Sequence, residues 1–177
     1  RTGRGVAPPS GRAVSVTLEP MSLDVLDRLA VGDLAAAGRL IDGPVPPDFL
    51  DGQWIWQHFA ALARAEPELA RWRTQYLVVD RERVVGHARL FAPSDREAQI
   101  GWHVDPIVRG RGLATAAAGH LVDLARSRAG VDRVVALIAP DNQASRRVAV
   151  KAGFRPDGEQ RHRFGSLMRR FVLDLRA

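Results

Sequence analysis

The sequence predicts a single α+β domain in which a mixed, mostly antiparallel sheet of about seven strands is flanked by helices. Three observations lead to this prediction. The 177 residues are 46% hydrophobic and 26% charged, as in an ordinary folded domain. The apolar residues follow helical spacing up to about residue 73 and a period of two from Gln75 onward. Helices then alternate with single strands towards the C-terminus, an order typical of helices that cover the faces of a sheet.

The N-terminal part is predicted to supply one strand and most of the helices. Residues 1–12 combine Gly, Pro, Ser and Arg without periodicity, so we expect a flexible tail before a domain that spans 13–177. Ser22 is the expected N-cap of the first helix. The expected elements are a strand over 13–18, helices over 23–31 and 33–40, a proline-rich loop over 42–48, and a helix over 53–73 that is interrupted near Pro67.

The C-terminal part is predicted to supply most of the sheet. The alternation of apolar and polar residues indicates three consecutive strands, and an alanine-rich segment indicates the next helix. The expected elements are strands over 75–80, 84–90 and 98–104, a helix over 113–128, a strand over 133–139, a helix over 142–151, and a final strand pair around 154–155 and 167–175.

Composition excludes several classes of protein. Cysteine is absent, which excludes disulfides, zinc-thiolate sites and an acyl-cysteine intermediate. The sequence has neither an apolar run long enough to cross a membrane nor a signal-peptide pattern, so we expect a cytoplasmic protein without a membrane partner. The formal net charge of +6 favours anionic partners, although a coding bias towards arginine explains it equally well. The basic residues form no continuous stripe, so no specific nucleic-acid partner is expected.

The most informative segment is residues 104–115, VDPIVRGRGLAT, where a strand ends and a glycine-rich turn opens into a helix. Two glycines and the small Ala114 allow a ligand to approach the backbone. Backbone N–H groups at a helix N-terminus, together with the helix dipole, form a site for an anion such as a pyrophosphate. Arg109 and Arg111 can add charge-assisted hydrogen bonds.

Three other interpretations of this turn were weighed. A Walker loop requires a Gly-Lys pair, which the sequence lacks. In a dinucleotide-binding turn, Thr115 would stand where the third glycine is required. The acid about twenty residues further on, Asp132, precedes a strand, whereas the ribose-binding acid ends one. A plain glycine-rich turn without a ligand remains the structural alternative.

The segment 109–114, RGRGLA, resembles the acetyl-CoA signature Q/R-x-x-G-x-G/A of the GNAT N-acetyltransferase superfamily. A second part of the sequence strengthens the resemblance. Asn142 opens the next helix, Ser145 follows three residues later, and the segment 151–154, KAGF, closes the helix. This layout is similar to that of the RimJ/RimL-like branch. The resemblance implies the GNAT fold, with a splay between the fourth and fifth strands.

The resemblance also implies where acetyl-CoA would bind. Backbone amides of 109–115 would hold its pyrophosphate, strand backbone of 102–104 would pair with its pantetheine and polarise the thioester carbonyl, and Asn142 would hydrogen-bond the pantetheine arm. No metal is expected. The residues that this assigns to acetyl-CoA are Trp102, His103, Val104, Arg109, Gly110, Arg111, Gly112, Leu113, Ala114, Thr115, Asn142 and Ser145.

Direct attack of an amine on the thioester needs a proton donor for the leaving thiolate and a base for the amine. Many relatives carry a tyrosine seven positions after the asparagine, where this chain has Ala149. Ser145 is therefore the candidate proton donor, and a serine that only bonds helix backbone is the alternative. The alternation of the third long strand places Glu97 and His103 on its polar face, and these are the candidate bases.

The sequence therefore predicts an enzyme that moves acetyl from acetyl-CoA to a primary amine, either a protein N-terminus or a small molecule, in a ternary complex. A non-catalytic acyl-CoA-binding module is the alternative, because Ala149 and Gln99 stand where relatives carry reactive groups. The oligomeric state stays open, a homodimer being one arrangement. The residues considered for the border of the acceptor channel are Trp54, Trp56 and Trp72, the proline loop 44–47 and residues 161–163.

Overall fold

The computed structural model describes residues 14–91, 96–162 and 165–176 of the chain. Residues 1–12 of the predicted tail, Ala13 of the first predicted strand and Arg163 of the candidate acceptor border lie outside these described residues. The described chain forms seven strands and five α-helices in the predicted α+β arrangement.

The strands are β1 (Thr17–Pro20), β2 (Arg73–Asp80), β3 (Arg83–Phe91), β4 (Glu97–Val104), β5 (Arg133–Ile138), β6 (Arg155–Arg161) and β7 (Leu167–Asp174). The helices are α1 (Leu23–Ala30), α2 (Leu34–Leu40), α3 (Gln53–Ala65), α4 (Leu113–Arg126) and α5 (Gln143–Lys151). Short 3-10 helices cover Pro47–Gly52, Pro67–Trp72 and Pro106–Val108. The predicted break near Pro67 is confirmed, and Ser22 caps α1 by accepting the N–H of Val25 at 3.3 Å.

The predicted position of the first strand, 13–18, is wrong. In β1, Thr17 lies opposite Val79 and Pro20 lies opposite Tyr76. Because β2 ends at Asp80, the chain before Thr17 has almost no length of β2 left to pair with. The loop predicted over 42–48 also ends early, since a 3-10 helix begins at Pro47.

The sheet has the order β1-β2-β3-β4-β5-β7-β6 and confirms the predicted mixed, mostly antiparallel arrangement of seven strands. Only β4 and β5 are parallel, as expected for strands joined through the crossover helix α4. Their pairing runs from Glu97 opposite Arg133 to Ile100 opposite Ala136 and stops there. Beyond Ile100, β4 has no paired strand on the side of β5. This separation of the two strands is the splay.

Each face of the sheet packs on its own cluster of buried side chains. The first cluster joins Ile100 of β4 to Leu113 and Leu121 of α4. The second cluster joins Leu77 of β2 to Trp56 of α3 and to the helices α1 and α2. Burial of these side chains holds β4 against α4 on one face and β2 against α1, α2 and α3 on the other.

A network of ion pairs holds the strands together at the closed end of the splay. Arg170 of β7 donates to both carboxylate oxygens of Glu97 of β4, at 3.1 and 2.7 Å, and to Asp157 of β6 at 2.8 Å. Asp174 at the end of β7 binds Arg133 of β5 and Arg155 of β6. These contacts link β4, β5, β6 and β7 opposite the place where β4 and β5 separate.

Over residues 14–91, 96–162 and 165–176, no helix combines the length and the apolar character that crossing a membrane requires.

Candidate active site

The separation of β4 from β5 opens the sheet at residues 101–104. On their other side these residues still pair with β3, as far as Val104 opposite Gly86. The backbone groups of 101–104 that face β5 therefore border an opening and have no strand to pair with there. Two cavities meet at this opening, and we call them the loop cavity and the sheet cavity.

The loop cavity has a volume of about 320 Å³ and lies between the end of β4, the glycine-rich turn and the start of α5. It contains most of the residues that the sequence predicted for acetyl-CoA. Its lining includes Trp102, His103, Val104, Arg109, Gly110, Gly112, Leu113, Ala114, Thr115, Asn142, Ser145, Arg147 and Lys151.

The turn presents a row of backbone N–H groups to the loop cavity. Those of residues 110–115 have no hydrogen-bond acceptor among the residues that the structure describes. The amides on either side are used internally, since Arg109 donates to the carbonyl of Pro106 at 3.4 Å and Ala116 to that of Gly112 at 3.0 Å. Positive φ angles of 81° at Gly110 and 82° at Gly112 turn the chain into this shape. The arrangement suits a bound anion.

The basic side chains around the loop cavity differ from the predicted pair, Arg109 and Arg111. Arg109 lines it and donates from Nε to the carbonyl of Val104 at 3.0 Å. The side chain of Arg111 points elsewhere, to Asp80 of β2 at 2.8 Å, and does not line the cavity. Arg147 and Lys151 of α5 do line it, and the sequence analysis missed both. Their spacing of four residues on one helix would have placed them on a common face.

The sheet cavity has a volume of about 260 Å³ and lies on the other side of the opening. It shares Trp102, Asn142 and Ser145 with the loop cavity, so these residues mark the junction. Asn142 caps α5 through its side-chain oxygen, which accepts the backbone N–H of Ser145 at 3.0 Å. The hydroxyl of Ser145 makes no hydrogen bond to any described residue, so it is available to a ligand at the junction.

His103 lies on the polar face of β4, as predicted, and is paired with a residue that the sequence analysis missed. Its Nε2 lies 2.6 Å from Oδ2 of Asp48, in the 3-10 helix before α3. The Asp48 side chain is only 15% exposed, so the contact is shielded from water. Such a carboxylate fixes the orientation of an imidazole ring. Fifty-five positions separate the two residues, and no local pattern reveals their contact.

His87 of β3 lies next to His103 and lines the sheet cavity. The two rings stack with centroids 5.0 Å apart, and Phe49 and Trp56 meet His87 edge-on. Burial, with smaller contributions from the charges of His103 and Arg89, lowers the pKa of His87 to about 3. His87 is therefore a neutral imidazole at pH 7. It is too weak a base to take a proton from an α-ammonium group, whose pKa is near about 8.

Glu97, the other candidate base, lies away from both cavities. Its carboxylate forms the paired contact with Arg170 at the closed end of the splay. The hydrogen bond to Glu97 is the largest cause that raises the pKa of Arg170. The structure thus brings His103 and Ser145 to the opening and leaves Glu97 outside it.

An outer cavity of about 520 Å³ adjoins the sheet cavity, with which it shares Ile55, Arg89 and Met168. Two residues considered for the acceptor border, Trp54 and His162, line this outer cavity. Trp56 is fully buried in the second cluster and belongs to the core. The side chain of Trp72 lies outside the described part of the structure.

The fold and the site define the class of protein. A mixed seven-stranded sheet that splays between a parallel pair, with a glycine-rich helix start at the opening, is the arrangement that the sequence resemblance implied. The family model described as acetyltransferase (GNAT) domain matches residues 16–155. The chain belongs to the GNAT acetyltransferase family, and the predicted GNAT fold is confirmed. A comparison with curated proteins finds no match to the sequence.

Solved structures of several acetyltransferases are similar to this fold. RimL, a ribosomal L7/L12 α-N-protein acetyltransferase in complex with coenzyme A, is 17% identical with a TM-score of 0.62, over 92% of this chain and 95% of that one. RimJ of Mycobacterium smegmatis, in complex with a CoA disulfide, is 23% identical with a TM-score of 0.64, over 90% and 81%. The aminoglycoside acetyltransferase AAC(6')-Ib, in complex with coenzyme A, is 20% identical with a TM-score of 0.64, over 90% and 95%. All three share the fold of this chain.

Proposed function

We propose that this protein is an N-acetyltransferase that binds acetyl-CoA in the loop cavity and a primary amine in the sheet cavity. The observation that carries the proposal is the row of backbone amides of residues 110–115, which have no acceptor among the described residues and face a cavity leading into the splay. Coenzyme A is present in the similar RimL and AAC(6')-Ib structures, which supports the same cosubstrate here.

In this proposal the amides of 110–115 and the start of α4 hold the pyrophosphate of acetyl-CoA. The cations of Arg109, Arg147 and Lys151 add to the binding of its phosphates. The pantetheine lies along residues 102–104, whose backbone faces the opening, and Asn142 offers its side-chain N–H₂ group. The thioester then lies at the junction of the two cavities.

The amine nitrogen attacks the thioester carbonyl carbon, forming the C–N bond as the C–S bond breaks. We assign Ser145 as the proton donor to the leaving thiolate, because its hydroxyl lies at the junction and has no partner in the described chain. His103, oriented by Asp48, is the candidate base for the amine proton, directly or through a water molecule. A backbone amide of 102–104 would stabilise the developing oxyanion.

The test combines calorimetry with thiol release. Folded protein is expected to bind CoA with a dissociation constant on the micromolar scale. It is also expected to release thiol from acetyl-CoA when a suitable amine is added. Folded protein that binds no CoA would refute the proposal. CoA binding without thiol release across peptides, aminoglycosides and polyamines would favour the non-catalytic acyl-CoA-binding module instead.

The location and the assembly of the protein stay predictions. A cytoplasmic location agrees with the cysteine-free composition and with acetyl-CoA as cosubstrate. A homodimer is one possible assembly, and size-exclusion chromatography with light scattering would decide it.

A further inference from the structure

The side chain of Gln75 is a buried polar group that the reaction described above does not use. Gln75 lies on β2, is 2% exposed and lines the sheet cavity. Neither its side-chain oxygen nor its side-chain nitrogen has a hydrogen-bond partner within the described residues. A buried carboxamide without partners is costly to fold, so its presence in a cavity wall needs an explanation.

The register of the sheet connects Gln75 to the opening. Gln75 lies opposite Arg89 of β3, and Arg89 lies opposite Gly101 of β4. Gly101 is the first residue of β4 beyond its pairing with β5. The three residues thus form a row across three strands, and all three line the sheet cavity. The row leads from the opening into the sheet cavity, where Gln75 borders the space proposed for the amine acceptor.

Gly101 makes room for the Arg89 side chain, which lies over it in the row. A Cβ atom at this position would lie 2.6 Å from Nε of Arg89, so a larger residue would displace the Arg89 side chain. The backbone of Gln75 is itself fixed, because its carbonyl accepts the N–H of Met21 at 2.8 Å. The strand is therefore held firmly while the carboxamide remains available to a ligand.

We propose that Gln75 determines acceptor specificity by hydrogen-bonding an amide group next to the reacting amine. This inference rests on the proposed N-acetyltransferase function. A carboxamide both donates and accepts, and a peptide group offers the matching C=O and N–H. The preferred acceptor is therefore the α-amine of a peptide, and Gln75 hydrogen-bonds the first peptide group.

The charge of the acceptor path agrees with this assignment. Among the described residues that line the sheet and outer cavities, none is Asp or Glu, and Arg89 lines both. Polyamines and aminoglycosides carry several ammonium groups, which are bound well where carboxylates face them. A protonated polyamine also presents only N–H donors to Gln75 and leaves the N–H₂ group of its carboxamide without an acceptor.

The experiment compares two acceptors that differ only in the amide. L-alanine methylamide carries it, and 2-aminopentane replaces it with methylene groups. Gln75→Met, which keeps an unbranched side chain, is expected to lower kcat/KM about 10- to 100-fold for the amide and less than about threefold for the alkylamine. Comparing the variant with the wild type on each acceptor removes the effect of the different amine pKa values. Equal losses on both acceptors, or no loss on the amide, would overturn the proposal.

Further variants separate this effect from misfolding. Gln75→Glu keeps an acceptor oxygen and replaces the N–H₂ donor, so a smaller loss on the amide than that of Gln75→Met is expected. A loss on both acceptors alike would contradict the assignment. Gln57→Met makes the same chemical change on α3, where Gln57 donates to the carbonyl of Ala30 outside the sheet cavity. It is expected to leave both kcat/KM values unchanged. CoA affinity should stay within about twofold in every variant.

A binding measurement decides the role of Gln75 even if neither acceptor is acetylated. The two compounds are titrated into protein saturated with CoA. The amide is expected to bind at least about tenfold more tightly than the alkylamine to the wild type, and equally to Gln75→Met. Equal binding to the wild type would overturn the proposal for Gln75. Failure of CoA binding or of thiol release would instead count against the proposed function.

Discussion

Ser145 has two separable properties at the residue scale. Its backbone N–H belongs to the cap of α5, while its hydroxyl lies at the junction of the loop and sheet cavities. Because the cap uses the backbone of Ser145 and the side chain of Asn142, an alanine at 145 leaves it intact. Substitution should therefore remove the proton donor without changing the local fold.

Ser145→Ala is accordingly expected to lower kcat by about 100-fold or more and to leave the CoA dissociation constant unchanged. Thiol release and calorimetry measure the two quantities. Ser127→Ala provides the control, since the hydroxyl of Ser127 donates to the carbonyl of Leu124 at the end of α4, away from both cavities. Full activity of Ser145→Ala would mean that another group, or water, protonates the thiolate.

The buried His87 makes stability depend on pH. Its pKa is about 3 in the folded protein and 6.5 ordinarily, so between these values the unfolded chain binds a proton that the folded protein does not. The contribution of His87 to the unfolding free energy is therefore largest above about pH 6.5 and decreases as the pH falls towards 3. The loss amounts to about 1.4 kcal/mol for each pH unit within this window.

His87→Phe keeps an aromatic ring against Phe49 and Trp56 and removes the titrating group. Between pH 6 and pH 4, the unfolding free energy of this variant should fall less steeply with decreasing pH than that of the wild type. The difference in slope should correspond to the uptake of about one proton on unfolding. Urea denaturation at several pH values gives the slopes. His120→Phe on the exposed side of α4 should keep the wild-type slope. Parallel curves for wild type and His87→Phe would contradict the assignment.

How far the sequence predicts the site depends on whether a contact is local. The polar face of β4 and the cap of α5 follow from spacing within a single element, so His103 and Ser145 could be found. Asp48 and Gln75 reach the site through the packing of α3 and the pairing of β2, which a local pattern does not contain. The contact of the Arg111 side chain with Asp80 could not be predicted for the same reason, because Asp80 comes from another strand.

At the scale of elements, the turn from β4 into α4 combines a backbone shape with a binding surface. Gly112 is the N-cap of α4 and has a φ of 82°, which residues with a Cβ atom adopt at a cost of about 1–2 kcal/mol. A Cβ atom there would meet only Val14, at 3.7 Å, so space is not the constraint. The constraint is the conformation that turns the amides of 110–115 towards the loop cavity.

Gly112→Val is therefore expected to abolish detectable CoA binding while the protein stays folded. Gly119→Ala in the middle of α4 is the control, because a Cβ atom there meets nothing within 4 Å. Calorimetry measures the binding and circular dichroism the fold. If Gly112→Val bound CoA as the wild type does, the amide row would not be the binding site.

Most element boundaries could be predicted because each depends on a local signal. Ser22, Asp33 and Asn142 cap helices as such residues commonly do, and Pro67 ends α3. The position of β1 could not be predicted, because it depends on where β2 ends. Only residues that lie opposite β2 can pair with it as a strand. The hydrophobic periodicity likewise does not predict the splay, which only the family resemblance implied.

At the scale of the whole molecule, the ion pairs at the closed end of the splay hold together four strands. Arg170 contacts Glu97, Asp157 and Gln160, and its side chain is only 15% exposed. Arg169, its neighbour on β7, has a 50% exposed side chain and forms its ion pair, within the described part of the chain, with Glu159. The two arginines provide a matched test of how much the network stabilises the sheet.

Arg170→Leu is expected to lower the unfolding free energy by about 1–3 kcal/mol, since it leaves Glu97 without its partner. Arg169→Leu should cost less than about 1 kcal/mol, as is usual for an exposed pair. Urea denaturation at neutral pH compares them. Equal effects would show that the network adds nothing beyond an ordinary surface ion pair.

The proposed function depends on the backbone amides of residues 110–115, which would hold the pyrophosphate of CoA and so direct its thiol into the splay. An NMR titration of the labelled protein with CoA tests it most directly. We expect the largest amide shifts in residues 110–115 and further shifts in residues 101–104 of β4. Binding that leaves these amides unshifted, or no binding by folded protein, would contradict it.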